Sequence, residues 1–294
     1  MARPTPIDTL LTPRAAALTD ALALALTGEP DAVHRARVAS RRLREVLPAL
    51  AVDEPESWQP LRDDVRRVTR ALGQVRELDV AATYLEAALA AQPIGPGAVA
   101  AARRALRVDR AAALRQARTA LTPARVARLH ARLRAASVRS PAPAAAAVAA
   151  ALTARVLRGA GRVRKALDRV STVYVPGRLH AVRIAVKRLR YALEARGAAR
   201  GTRGSSQLRE LRVIQDLLGR AHDLHVLGER LGEVERRVVS RSRAMARDLA
   251  GLECALDLEC RTLHAAFMSR REALLKLVAS LSASPMAARA RTVK

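Results

Sequence analysis

Aromatic residues are scarce in this 294-residue sequence: Trp58, Tyr84, Tyr174, Tyr191 and Phe267 are the complete set. Single-stranded nucleic-acid binders usually stack bases on aromatic side chains, so the scarcity weighs against a ligand of that kind. Cysteine is equally sparse. Cys254 and Cys260 stand six apart on an expected helix and face different directions, which suggests neither a disulfide framework nor a metal site and fits a reducing compartment. No uninterrupted apolar run of membrane-spanning length is expected. The N-terminal "LLTPRAAALTDALALALTGEP" resembles a leader, but Asp20 interrupts its apolar core. The period-2 alternation of strands is missing too, and the chain reads as all-α.

Acidic charge is also short: 27 Asp and Glu face 53 Lys and Arg, a formal net charge of +26. Lys165, Lys187, Lys276 and Lys294 are the only lysines, so nearly all of the positive charge is arginine. Arginine's planar fork grips phosphate oxygens two at a time, which points to a phosphate-bearing polyanion. A GC-rich coding bias accounts for part of the surplus. The position of the charges must therefore carry the argument.

Proline and glycine clusters at "TGEP", "DEPES", "QPIGPG", "SPAP", "VPG" and "RGAARGTRGSS" punctuate the chain. Between them the apolar periodicity predicts eight helices, near 7–27, 31–51, 57–91, 98–137, 144–172, 177–196, 206–240 and 243–283. "HRARVASRRLREVL" from His34 recurs as "HAVRIAVKRLRYAL" from His180, and "LGQVRELDV" from Leu72 as "LGRAHDLHV" from Leu218, both at an offset of 146. Further along, Arg115 aligns with Arg261, Leu121 with Phe267 and Arg125 with Arg271. A constant offset in a chain about twice as long indicates internal duplication. It predicts halves of four helices each, 1–140 and 141–284, joined at "VRSPAPAAAA", with a tail at 285–294. By the same offset residues 7–27 take the slot of residues 153–173, which makes them a bundle helix rather than a leader.

At about 100° per residue, His34, Arg37, Arg41 and Arg44 fall within an arc of roughly 80°, opposite Ala36, Ala39, Leu43, Val46, Leu47 and Leu50. His180, Arg183, Lys187 and Arg190 repeat the stripe, backed by Ala185, Leu189, Ala192 and Leu193. Neither stripe has an acidic member, unlike an ordinary solvated face, which mixes signs at i and i+4. From His34 to Arg44 a stripe runs ~15 Å, a track for a chain of charges. Arg35 points elsewhere and reads as ordinary surface. Arg62, Arg66 and Arg70 follow at i, i+4, i+8, and Arg212 takes the place of Arg66. Arg76 with Glu77 and Asp79 reads as an internal salt-bridge cluster.

The doubled pieces "HRARVASRRLR" with "LGQVRELDV" and "HAVRIAVKRLRYALE" with "LGRAHDLHV" resemble the CHAD family, the conserved-histidine α-helical domain, over roughly residues 5–283. The resemblance implies two four-helix bundles related by pseudo-twofold symmetry, with the basic helices lining a central cavity or groove. It also implies binding of inorganic polyphosphate and a cytoplasmic location on polyphosphate granules. By position the binding residues are His34, Arg37, Arg41, Arg42 and Arg44 with His180, Arg183, Lys187, Arg188 and Arg190. Arg66, Arg76, Arg212, Arg115 and Arg261 form a second tier. His222 and His225 depart from the first half, where Arg76 and Asp79 stand. Some relatives carry a triphosphate-processing domain marked by an ExExK strand; "EVERR" (Glu233, Glu235, Arg237) comes close but ends in arginine in a helical context.

These readings predict a non-catalytic binding module with no cofactor, no metal and no membrane partner. One rival is an enzyme that processes phosphate esters or polyphosphate. Neither a GxxxxGK run nor a clustered carboxylate site supports it. The other is a nucleic-acid binder, supported by charge alone.

Overall fold

A computed structural model describes residues 4–139, 141–202 and 205–283; the expected tail at 285–294 lies outside them. Among the described residues there are α-helices and no strands. A π-helical turn, Ile7–Leu11, leads into α1 (Thr12–Thr27), followed by α2 (Pro30–Leu50), α3 (Gln59–Ala91), α4 (Pro96–Ala120) and α5 (Pro123–Ser137). Next come α6 (Ala145–Leu167), α7 (Pro176–Ala199), α8 (Ser206–Val238), α9 (Arg243–Met268) and α10 (Arg271–Ala283).

The punctuation seen in the sequence makes the helix ends. Gly28 closes α1 at φ 101°, a left-handed conformation that glycine adopts without a Cβ clash. Glu29 then caps α2 by accepting from the Asp31 and Ala32 amides, with Pro30 in the first turn, where a missing N–H costs nothing. Thr122, Ser205 and Ser242 cap α5, α8 and α9 in the same way.

Two expected helices are each broken in two, which corrects eight helices to ten α-helices among the described residues. Pro123 forces Thr122 out of the helical region, to ψ 155°, and splits the 98–137 segment. The 243–283 segment breaks at Ser269 and Arg270, where the Arg270 amide turns to the Phe267 carbonyl at 2.9 Å. The starts of α2 and α7, α3 and α8, α4 and α9, and α5 and α10 keep the sequence offset to within two residues. The first helix does not. Its counterpart α6 ends at Leu167, and eight residues separate it from α7, where Gly28 and Glu29 alone join α1 to α2. Residues 7–27 therefore do not correspond to 153–173.

Within the first half α1 packs on α2, α2 on α3, α3 on α4, and α5 returns to α3; within the second, each helix from α6 to α9 packs on the next; between halves α2 meets α7, α3 meets α8 and α4 meets α9. The apolar faces predicted for α2 and α7 form the buried interior: Leu43, Val46, Leu47 and Leu189 are fully buried. One core cluster runs from the first half into Leu224–Val234 of α8 and Leu249–Cys260 of α9, and the second lies among α6, α7, α8 and α10. The stretch Ile7–Thr27, with mean hydropathy 1.2, is long and apolar enough by composition to cross a membrane, although Asp8, Arg14 and Asp20 interrupt it. Its Leu10, Leu11, Leu18 and Leu22 are fully buried in the bundle core.

Candidate anion-binding site

Where α2 meets α7, the two basic stripes face one cavity of about 700 Å³. α2 contributes His34, Arg37, Arg41 and Arg42; α7 contributes His180, Arg183, Lys187 and Arg190; α3 adds Arg76 and α8 adds Arg220. Three carboxylates, Glu77, Asp216 and Asp223, stand against these eight Arg and Lys side chains. Excess positive charge is therefore concentrated where the bundle is recessed from water, and electrostatic forces act more strongly there than on open surface.

Local packing sets each cation in place. Arg37 donates from Nη1 to the Thr69 carbonyl at 3.0 Å, crossing onto α3 beside Gly73. A Cβ on Gly73 would approach that Nη1 to 3.2 Å, so the glycine of "LGQVRELDV" makes room for the guanidinium. Gly219, its counterpart, has open space where a Cβ would stand. Ser40 and Thr69 hydroxyls meet at 3.1 Å in the α2–α3 interface. Arg190 is held by Gln215 at 2.7 Å, by Glu194 and by the Tyr191 ring, 4.5 Å from its centroid. Arg183 lies 3.6 Å from Asp223.

Other cations have no such partner. Among the described residues no hydrogen bond or ion pair holds Arg41, Arg76 or Lys187. The expected cluster of Arg76 with Glu77 and Asp79 does not form. Glu77 pairs with Arg230 at 3.0 Å and Asp79 with Arg110 at 2.5 Å. Arg76 and Glu77 both line the cavity, but Arg230 and Arg110, distant along the chain, take the two acids.

The crowding is visible in protonation. Burial, then Arg41, Arg183 and Arg37, push the Lys187 ammonium down to about 7, against a smaller pull from Asp223. Burial and Arg41 bring Arg37 down to about 10, so it stays charged at neutral pH. Burial also lowers His34 and His180, with Arg76 and Arg183 as their respective leading charged neighbours. His222 is pushed to about 3 by burial, Arg183 and His180. Its Nδ1 lies 3.1 Å from Nδ1 of His180, so one ring donates and the other accepts, and two imidazolium ions cannot face each other there.

The remaining expected residues divide among neighbouring surfaces. Arg44, Arg188 and Arg66 line a second cleft of about 230 Å³ between α2, α3, α6 and α7. Arg42 and His34 also border a larger groove of about 1180 Å³ on the other flank of α2, which Arg212 and Arg35 share. Arg115 and Arg261 line none of these; both are exposed, and Arg261 pairs with Asp257 at 2.7 Å. Sequence reasoning did not single out Arg220, Asp223 or the α6 arginines of the second cleft, Arg155, Arg158 and Arg162. The i, i+3, i+7 spacing of the last three was the available signal. Glu233 and Arg237 of the near-ExExK run pair along α8 at 3.8 Å, on one helical face rather than on a strand.

The fold and cavity define an all-α protein with paired basic helices turned toward one another. The chain belongs to the CHAD domain family, whose profile matches residues 9–232. PptA from Streptomyces chartreusis has the same fold, with TM-score 0.69 and 18% identity over 91% of this chain and 99% of its own. The CHAD domain from the plant Ricinus communis aligns with TM-score 0.57 and 23% identity, over 90% of this chain and 86% of its own. No curated protein sequence matches the chain.

Proposed function

We propose that this protein is a non-catalytic module that binds inorganic polyphosphate in the cavity between α2 and α7. The observation that carries the reading is the meeting of both stripes at one recess, where among the described residues no hydrogen bond or ion pair holds Arg41, Arg76 or Lys187. A string of phosphates supplies that charge repeatedly and needs no base-stacking surface. Family membership supports the same ligand, because CHAD domains are associated with polyphosphate binding.

Binding is favoured over turnover because two of the cavity's three carboxylates are engaged: Asp223 faces Arg183 and Glu77 is held by Arg230, which leaves no carboxylate pair among the described residues to hold a metal. Nucleic acid is disfavoured by the walls. Tyr84 and Tyr191 are the aromatic residues of the cavity, and Arg190 covers the Tyr191 ring. Cys254, exposed, and Cys260, buried, are free thiols and support a reducing cytoplasm, where polyphosphate granules would hold the protein.

Calorimetric titration with polyphosphate at low salt tests the reading. Arg41→Ala combined with Lys187→Ala removes two cations with no folding partner and should weaken binding by about a hundredfold, at roughly tenfold per charge. Unchanged affinity in this variant, displacement of polyphosphate by DNA at equal phosphate concentration, or steady release of orthophosphate would each overturn it.

A further inference from the structure

We propose that the arginine-walled cleft between α2, α3, α6 and α7 is a second anion subsite, taking further phosphates of a polymer that already occupies the central cavity. The inference rests on the reading of the protein as a polyphosphate binder, and it assigns the direction in which a long chain leaves the cavity. None of the α6 residues belongs to the two doubled stripes.

Seven of the described residues lining the cleft are arginines, and Glu45 is the one acid among them. Arg44, Arg62, Arg158, Arg162 and Arg188 line it, and among the described residues none has a hydrogen-bond or ion-pair partner. The nearby acids are engaged: Glu45 pairs with Arg155 at 2.5 Å and Asp63 with Arg66 at 3.1 Å. Arg155 still has a buried Nε without an acceptor. Five like charges around about 230 Å³ repel one another, and an anion removes that cost while accepting their forks.

The duplication offers an internal comparison. On the opposite flank, Glu194 draws in three arginines: Arg42 at 3.7 Å, Arg212 at 3.9 Å, and Arg190 in direct contact. At the offset of 146, those three correspond to Arg188, Arg66 and Arg44 of the cleft, and Glu194 corresponds to Pro48. One half thus holds its arginines with a carboxylate of its own. In the other half that carboxylate is missing and α6 brings more arginine, which leaves the place of the anion to a ligand.

Continuity with the central cavity follows from helix geometry. Arg41 of the cavity and Arg44 of the cleft stand three residues apart, ~4.5 Å along α2. Lys187 and Arg188 are consecutive on α7. Burial lowers the Arg44 pKa, against an opposing pull from Glu45, and the fields of Arg188, Arg66 and Arg41 add to the lowering. A phosphate chain passing between α2 and α7 therefore meets the second set of forks, where Glu45 is already engaged by Arg155.

Chain length separates this subsite from the first. Arg158→Ala with Arg162→Ala changes two exposed side chains without partners, and Pro48→Glu supplies the missing carboxylate from within. Calorimetry with long-chain polyphosphate at low salt should show each variant weakened by about tenfold or more, with the salt slope of the Arg158/Arg162 variant reduced by roughly two. Tripolyphosphate, short enough to stay in the central cavity, should bind within about twofold of wild type, whereas Arg41→Ala should weaken both ligands. Thermal melts unchanged within a few degrees exclude misfolding as the cause. If the cleft variants bind both chain lengths like wild type while Arg41→Ala weakens both, the subsite is wrong and the central site stands. If they weaken both lengths equally, the cleft is no extension and the proposal also fails. Wild-type protein that binds neither chain would overturn this proposal and the reading beneath it.

Discussion

Lys187 is the cavity residue whose charge is most finely balanced, because it is the lone lysine among arginines that stay protonated. In the free protein its pKa is pushed to about 7. A phosphate alongside replaces lost solvation and offsets Arg41, Arg183 and Arg37, so the bound value is higher and binding draws in a proton. Affinity for polyphosphate should be level below pH 7 and fall by up to about tenfold per unit above it, the slope of one linked proton. Lys187→Arg should flatten that profile, and calorimetry in buffers of different ionisation heat should show the proton uptake disappear. Folding responds with the opposite sign. The unfolded chain keeps this proton to about 10.4. The depressed folded value therefore makes the unliganded protein more stable as pH rises from about 7 toward 10, and the cost of the buried charge is fully present below that window. The paired histidines His180 and His222 add little charge as pH nears the usual histidine range. His180 and His222 share a 3.1 Å contact amid cations, which delays their protonation to lower pH.

At the scale of the helix, a few small residues decide where the charged faces go. Gly159 lets α6 settle on α7: a Cβ there would lie 3.2 Å from Cδ1 and 3.4 Å from Cα of Leu189, a fully buried residue. That approach sets Arg158 and Arg162 opposite Arg188. Gly159→Leu should destabilise the fold by about 1–3 kcal/mol through overpacking, read from urea unfolding. It should also cost long-chain affinity by moving α6 outward. Gly73 plays a comparable part for Arg37 on α3. Helix ends were legible beforehand, because Gly28, Pro30, Pro96 and Pro176 impose local backbone preferences that need no tertiary context. The break at Thr122 and Pro123 was written just as locally, but a long run of apolar periodicity on either side masks it.

For the whole molecule, a formal charge of +26 opposes compaction, and the same charge recovers that cost when a polyanion binds. Added salt should therefore raise the melting temperature of the free protein, while polyphosphate at low salt should raise it further, as any ligand specific for the folded state does. The ligand's increment should shrink as salt increases, and differential scanning fluorimetry across a salt series separates the two effects. An increment independent of salt would mean that the stabilisation is not electrostatic.

The sequence by itself determined the all-α class, the internal repeat beyond the first helix and the composition of both stripes. Those features reside in periodicity and local backbone chemistry, which survive without knowledge of the fold. It also carried the pairing of His34 with His180 and of Arg37 with Arg183 as equivalent positions. Only the tertiary structure decided which arginines remain unneutralised. Arg41 and Arg190 look alike in a stripe, yet Glu194 holds one while the other faces an open cavity. Arg76 left the acids beside it in sequence because Arg230 and Arg110, distant along the chain, took them. Electrostatic partnership depends on distance in space, and only the packing of α2, α3, α6 and α7 sets those distances.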